Sequence, residues 1–268
     1  MPEGRPPVSD RSQPRRQQDR CAIAIMAKAP RAGRVKTRLS PFLTPDEARD
    51  LGCCFLRDMT DNLALAARDA AIDPHIAFAP AGSETAFATI VAPGTGFVLA
   101  DGSHPAPAGV DGFGRCLFQA AQALHDAGYG AVGLLNSDSP TLPTSLLVRA
   151  CELATGRSDR VVLGPSTDGG YYLIVMGAPH ADLFRAIDWS TDRVAAQTRA
   201  QAERAGLELV DLDVWYDVDD PPSLRRLMAE LAGPRGQQDG HVPYAAPSTA
   251  GWVRDNRIAD RLVSAARV

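Results

Sequence analysis

The sequence predicts an α/β domain built on a mainly parallel sheet, and three observations carry that expectation. Short, nearly continuous apolar runs such as Cys21–Ala27 (CAIAIMA) and Ala131–Asn136 (AVGLLN) have the pattern of strands buried on both faces. Segments with helical spacing separate these runs from residue 21 to about residue 232. Strands alternating with helices over such a span imply right-handed crossovers within one sheet. The chain of 268 residues then accommodates one domain with tails, because single α/β cores run to roughly 250 residues.

Residues 1–20 hold five arginines and three acids among Pro, Gln and Ser, and read as a disordered tail without a signal-peptide core. After the first strand, residues 28–44 form a basic loop with two prolines and a glycine. A helix follows from Pro45 to about Ala70, with Thr44 as its N-cap and Leu51, Phe55, Met59 and Leu63 as a buried stripe. Strands are expected at His75–Ala79 and Gly96–Ala100, a helix at Gly114–Ala127, the strand ending at Asn136, and a helix at Thr144–Ala154. Arg160–Gly164 and Tyr171–Met176 flank a Thr-Asp-Gly-Gly turn and add an antiparallel element. An amphipathic helix is expected at Ser190–Ala205, capped by Ser190 or Thr191. Strand segments at Leu207–Leu212 and Trp215–Val218 precede a core helix entered through Pro221 and Pro222. Residues 233–250 read as linker and 255–268 as a short terminal helix using Ile258, Leu262 and Val263.

Composition excludes several classes of function. Apolar residues make up 45% and charged residues 22%, typical of a folded globular chain. A net charge of −4 argues against a nucleic-acid partner, which needs a basic face. No apolar run approaches the roughly 20 residues that cross a bilayer, so a cytoplasmic protein without a membrane partner is expected. Cys21, Cys53, Cys54, Cys116 and Cys151 form no CxxC pair and read as inert thiols. The five histidines show no HExxH spacing, and no nucleophile elbow supports a hydrolase triad.

Ligands of open α/β sheets bind at the carboxyl ends of strands, which gives weight to three polar segments. In the first, Lys28 to Arg38, Gly33 lets the backbone approach a ligand while Lys28, Lys36 and Arg38 can neutralise a polyphosphate, with Thr37 among them. Two residues separate Gly33 from Lys36 where a P-loop allows none, and Gly128-Tyr-Gly130-Ala-Val-Gly133 precedes a strand, so neither is a nucleotide fingerprint. The second is Asn136-Ser-Asp138-Ser-Pro140, where Asp138 fits either a Mg²⁺ or Mn²⁺ ligand or a turn start. In the third, Tyr216 to Pro222, Asp217 and Asp219 alternate along an expected strand and so point the same way, which suits a cation, while Asp220 suits an N-cap. Asp168-Gly169-Gly170 is explained by hairpin chemistry, with Asp168 also free to face a substrate.

Taken together, Met26 to Leu39 (MAKAPRAGRVKTRL), Ser137-Asp-Ser-Pro140, Gly164 to Ile174 (GPSTDGGYYLI), Asp188-Trp-Ser-Thr191 and Tyr216-Asp-Val-Asp219 resemble the glycosyltransferase-like proteins termed radical-SAM/selenodomain-associated or arsenosugar-type transferases. The resemblance implies the GT-A nucleotide-diphospho-sugar transferase fold, a Rossmann-like mixed sheet flanked by helices. It is shared with molybdenum-cofactor nucleotidylyltransferases and phospholactate guanylyltransferases, whose nucleotide loop is similar to Lys36-Thr37-Arg38-Leu39. By that resemblance Lys36 and Arg38 contact phosphates, Asp138 is the principal ligand of Mg²⁺ or Mn²⁺, and Asp219 is preferred to Asp217 as the second; Lys36 and Asp168 are the expected catalytic residues. Asp168 positions the acceptor or acts as base, with Gly169, Gly170, Trp189, Ser190 and Thr191 on the acceptor side. The chain departs from the family pattern at Asn136 and Val175, each in place of a glycine, and at Asp220-Pro-Pro222 in place of Thr-Pro-Glu. Three functions are expected: a glycosyltransferase using a nucleotide-activated donor and a small acceptor; a nucleotidylyltransferase; or a nucleotide-binding module without catalysis.

Overall fold

The computed structural model describes residues 16–40, 42–233, 240–258 and 261. Its frame is a seven-stranded sheet in the order β3-β2-β1-β4-β6-β5-β7. The strands are β1 (Cys21–Lys28), β2 (Ile72–Ala79), β3 (Gly96–Leu99), β4 (Ala131–Leu135), β5 (Arg160–Pro165), β6 (Tyr171–Met176) and β7 (Glu208–Asp211). Only β6 runs against the others, pairing antiparallel with β4 on one side and β5 on the other. This is the mixed, mainly parallel sheet flanked by helices that the sequence predicts. The order reverses between β1 and β4: one connection leads outward through β2 and β3, the other through β6 and β5. A crevice therefore opens at the carboxyl ends of β1 and β4.

Helices cover both faces. Cys21, Ile23 and Ile25 of β1 pack with α1 (Pro45–Ala66), α3 (Thr144–Ala154) and α5 (Pro221–Ala232), through Leu51, Phe55, Leu146, Leu224 and their neighbours. Ala22 and Ala24, pointing the other way, meet α2 (Phe113–Asp126) and α4 (Val194–Arg204). Period-two alternation thus distributes one strand between two cores. The stripe Leu51, Phe55, Met59 and Leu63 is fully buried. Thr44 caps α1 through a reciprocal box, accepting from the Glu47 amide while its own amide donates to the Glu47 carboxylate.

Several boundaries differ from expectation. Helix α1 stops at Ala66, because residues 67–70 turn to feed β2. Strand β2 begins at Ile72, ahead of Pro74; that residue faces Ile23 of β1, and since β3 joins only from His75, no neighbouring strand needs a donor on its other side. Helix α4 starts at Val194 instead of Ser190. Ser190 adopts a left-handed φ of 63°, and the Thr191 hydroxyl donates to the Asp188 carbonyl, closing a turn before the helix. Trp215–Val218 is not a strand; it is an extended segment with a single bridge, Ser166 to Trp215.

The termini also correct the reading. Residues 1–15 of the expected tail lie outside the described residues, whereas Gln17–Asp19 form a 3-10 turn and Arg20 pairs with Asp73. Residues 234–239 of the expected linker, and Leu262 and Val263 of the expected terminal helix, lie outside them too. Within 240–258, however, α6 (Pro247–Asp255) starts inside the expected linker and packs on α1, with Val253 and Ile258 buried. Its N-cap residue Ala246 offers no side-chain acceptor. The buried Asp58 carboxylate of α1 supplies it instead, accepting from the Ser248 amide at 2.9 Å and the Thr249 amide at 2.7 Å. Among the described residues no helix is long and apolar enough to cross a membrane. All five cysteines are free; burial pushes the Cys54 thiol up to about 12, in keeping with an inert thiol, whereas a hydrogen bond with Cys21 lowers Cys151 to about 7, which departs from that expectation.

Removing this borrowed cap should release α6. Asp58→Ala is expected to destabilise the protein by about 2 kcal/mol and to speed exchange of the Ser248 and Thr249 amide protons. Unchanged exchange at those two amides would show that α6 is held by its apolar face alone.

Candidate functional site

Two of the three polar segments singled out, together with the turn that carries Asp168, follow a strand and arrive at the same end of the sheet. Lys28 ends β1 and leads into the basic loop; Asn136-Ser137-Asp138 follows β4; Ser166 to Gly170 connects β5 to β6. A cleft of about 750 Å³ lies there, and Lys28, Lys36, Thr37, Arg38, Asp138 and Asp219 are among the residues that line it.

Backbone hydrogen bonds join the two acidic segments. The Val218 amide donates to the Asp138 carbonyl at 2.8 Å, and the Ser139 hydroxyl donates to the Tyr216 carbonyl at 3.0 Å. At its other end the extended segment is tied to β5: the Trp215 amide donates to the Pro165 carbonyl and the Thr167 amide to the Trp215 carbonyl. Asn136 shapes the turn that presents Asp138. Its side-chain oxygen accepts from the Asp138 amide at 3.2 Å, and its side-chain nitrogen donates to the Ser139 hydroxyl at 3.1 Å. This asparagine, a departure from the glycine of the resembled family, therefore carries an Asx turn. Asp219 is set by what comes after it in the chain, since its amide donates to the Ser223 hydroxyl and Asp220 caps α5, as expected, through the Ser223 amide.

Lys36 closes the arrangement. Its Nζ lies 2.6 Å from Asp138 Oδ1 and 3.5 Å from Asp219 Oδ1, and donates to the Val218 carbonyl at 2.6 Å. The ammonium also stands over the Phe55 ring, 4.8 Å from its centroid. Only 6% of this side chain is exposed, against 70% for Arg38, whose Nη1 is 3.9 Å from Asp219 Oδ2. Lys36 takes a left-handed backbone conformation, φ 51°, uncommon for a residue with a Cβ and typical of strained functional positions. Burial, reinforced by the neighbouring Asp138 charge, pushes the Asp219 carboxyl up to about 6, although Lys36 opposes the shift.

The remaining expected residues divide. Gly33 has φ +73° and forms the turn of the basic loop, but it is not part of the cleft wall. Asp217 is outside the wall as well: with no strand to make 217 and 219 equivalent, its carboxylate accepts from the Ser166 hydroxyl at 3.0 Å. Burial and then the Asp168 charge raise its pKa. Asp168 is exposed and accepts from the Gly170 amide at 2.9 Å, an Asx turn within the hairpin. Gly169, φ +87°, lies so close to the Asp192 backbone that a methyl group there would overlap it. Turn 168–170 and turn 190–193 are thus neighbours, and neither is part of the cleft wall. Trp189 stands edge-on to Phe113, ring centroids 5.5 Å apart, and Phe113 reaches the cleft wall.

Sequence reasoning misses Asp101, which lines the cleft just after β3 and accepts from the Ser103 amide. The rule that picks out the other segments, a polar residue after a strand, would find it. The roles of the Val218 carbonyl and of Phe55 beneath Lys36 have no such signal. Among the described residues no three His, Cys, Asp or Glu side chains converge on one point. Asp138 and Asp219 nevertheless fit a hard divalent cation. Such ions accept one or two carboxylates and leave other positions to phosphate and water, and this pair already draws an ammonium between its members.

Comparison with known proteins bears on the fold. Residues 62–191 match a family described as an uncharacterized protein conserved in bacteria (DUF2064). No curated protein matches the sequence. A crystal structure from Desulfovibrio desulfuricans G20, provisionally named a nucleotide-diphospho-sugar transferase, is 28% identical; the match covers 91% of this chain and 97% of that one, with a TM-score of 0.72. The chain has that fold. A cytidylyltransferase from Leptospira borgpetersenii is 10% identical over 89% of this chain and 95% of its own, with a TM-score of 0.48. Rv0371c from Mycobacterium tuberculosis H37Rv, in complex with manganese, is 14% identical over 78% and 97%, with a TM-score of 0.37. At scores this low neither likeness bears on function.

The two glycines make a contrast that can be measured. Gly33→Ala meets open space and is expected to cost about 1 kcal/mol, for its positive φ alone. Gly169→Ala must also displace the Asp192 backbone and is expected to cost about 3 kcal/mol. Equal losses in thermal unfolding would show that the two turns are not in contact.

Proposed function

We propose that the chain is a metal-dependent glycosyltransferase of the radical-SAM/selenodomain-associated type, which transfers a sugar from a nucleoside diphosphate donor to a small acceptor. The observation that supports it most is the meeting of a basic loop and two carboxylates in one cleft at the switch point of the sheet. The name of the 28%-identical Desulfovibrio protein agrees with it.

In this reading Asp138 and Asp219 would hold Mg²⁺ or Mn²⁺, which would supply Lewis-acid stabilisation of the diphosphate. Lys28 and Arg38, exposed on the loop beside the pair, bind the remaining phosphate oxygens. As the acceptor oxygen attacks the sugar carbon, the bond from that carbon to the phosphate oxygen breaks. Negative charge then collects on the departing diphosphate, where fixed cationic groups stabilise it more than in the ground state. The group formed by Asp168, Gly169, Gly170, Trp189, Ser190 and Thr191 is assigned to the acceptor, with Asp168 orienting it or taking its proton.

The likeness of Lys36-Thr37-Arg38-Leu39 to guanylyltransferase loops favours a second reading, nucleotidyl transfer. There a phosphorylated acceptor attacks the α-phosphate of a nucleoside triphosphate and pyrophosphate departs. Incubation of the protein with a panel of nucleotide sugars and nucleoside triphosphates plus Mn²⁺ separates the two. Release of nucleoside diphosphate is the expected result, and pyrophosphate release would replace the first reading by the second. Asp138→Ala is expected to lower turnover by at least about 100-fold and to abolish the Mn²⁺-dependent rise in melting temperature seen with UDP or GTP. An undiminished rise in that variant would remove Asp138 from the site.

A further inference from the structure

Lys36, which the sequence resemblance assigns to a phosphate contact, is held in this structure by the protein's own oxygen atoms. An ammonium has three N–H donors and no acceptor capacity. Around Lys36 Nζ stand three oxygen atoms, those of Asp138 at 2.6 Å, the Val218 carbonyl at 2.6 Å and Asp219 at 3.5 Å. The donors are matched by the protein itself, and the aromatic face of Phe55 closes another side. Exposed Lys28 lines the same cleft, and Arg38, 70% exposed and only loosely paired with Asp219 at 3.9 Å, can turn to a phosphate there.

We propose that Lys36 is a resident counter-ion: it occupies the seat between Asp138 and Asp219 in the absence of a divalent cation, and leaves that seat for the donor's phosphates when such a cation binds. The inference rests on the metal reading given above. Two half-buried carboxylates held together by the Val218–Asp138 backbone bond repel each other, and leaving them without a cation is costly. The ammonium meets that need without a metal. It cannot share the space with one, because two cations a few ångströms apart in a partly desolvated cleft repel strongly. A lysine suits the exchange, since its charge is a compact group on a flexible four-carbon stem that can swing while the backbone stays in place. Cation binding would then release a phosphate ligand, which links the two binding events with positive sign.

The test is Mn²⁺ binding to the full chain without nucleotide, followed by the electron paramagnetic resonance signal of the free ion. Lys36→Met and Lys36→Gln remove the competing charge, and both are expected to bind Mn²⁺ at least about tenfold more tightly than the unaltered protein. Lys36→Gln retains a donor for the Val218 carbonyl and serves if Lys36→Met fails to fold. The variants should also unfold at a lower temperature without metal and regain more of that loss with Mn²⁺ than the unaltered protein gains. Tighter binding that survives a further Asp138→Asn substitution would place the metal elsewhere and overturn the proposal. If the unaltered protein binds Mn²⁺ and the variants bind it no more tightly, the counter-ion role is wrong while the metal reading stands. If none of the proteins binds Mn²⁺, the metal reading itself fails and this inference falls with it.

Discussion

The hydrogen bond from the Val218 amide to the Asp138 carbonyl spans 80 residues of sequence and brings the two acidic segments to one place. Neither segment is a regular element at that point. One is the turn after β4, the other an extended stretch between β7 and α5. With no ladder to hold them, their geometry depends on a few directed bonds: the Asn136 side chain within the turn, Ser139 to Tyr216 across it, and the cap of α5 behind Asp219. Directed bonds of this kind fix orientation in a way that apolar packing does not.

Placing these carboxylates side by side carries an electrostatic cost that the rest of the site answers. Asp219 is driven toward its neutral form by burial and by Asp138, and Lys36 counters that drive from below. The lysine reaches this position because the loop after β1 turns left-handed at residue 36 and then makes a short 3-10 turn over Thr37–Leu39. Leu39 is fully buried and anchors the end of the turn. Loop conformation, strand-end chemistry and helix capping are therefore parts of one charge balance, located where the strand order reverses.

The C-terminal segment shows a related economy of partners. Its helix α6 lacks a capping side chain of its own and takes one from Asp58, in the middle of α1. An aspartate on the buried face of an amphipathic helix contradicts the apolar pattern, and that contradiction is the only local trace of the contact. The Gly- and Pro-rich composition before α6 points to linker, and periodicity offers too few apolar residues to argue otherwise.

What the sequence determined by itself was the architecture and the identity of the charged segments. Continuous apolar runs and the capping signals at Thr44-Pro45 and Asp220-Pro221 are local properties, legible because burial and capping act on neighbours in the chain. Tertiary structure alone decided how the charges are used. Asp217 and Asp219 look equivalent in the string, yet one turns to Ser166 and the other to Lys36, because the stretch carrying them is bound to two different strand ends. Lys36 resembles a phosphate ligand in the string, and the fold seats it between two carboxylates of the cleft wall. Pairing of charges depends on distance in space, and no rule of spacing along the chain encodes the distance between residues 36, 138 and 219.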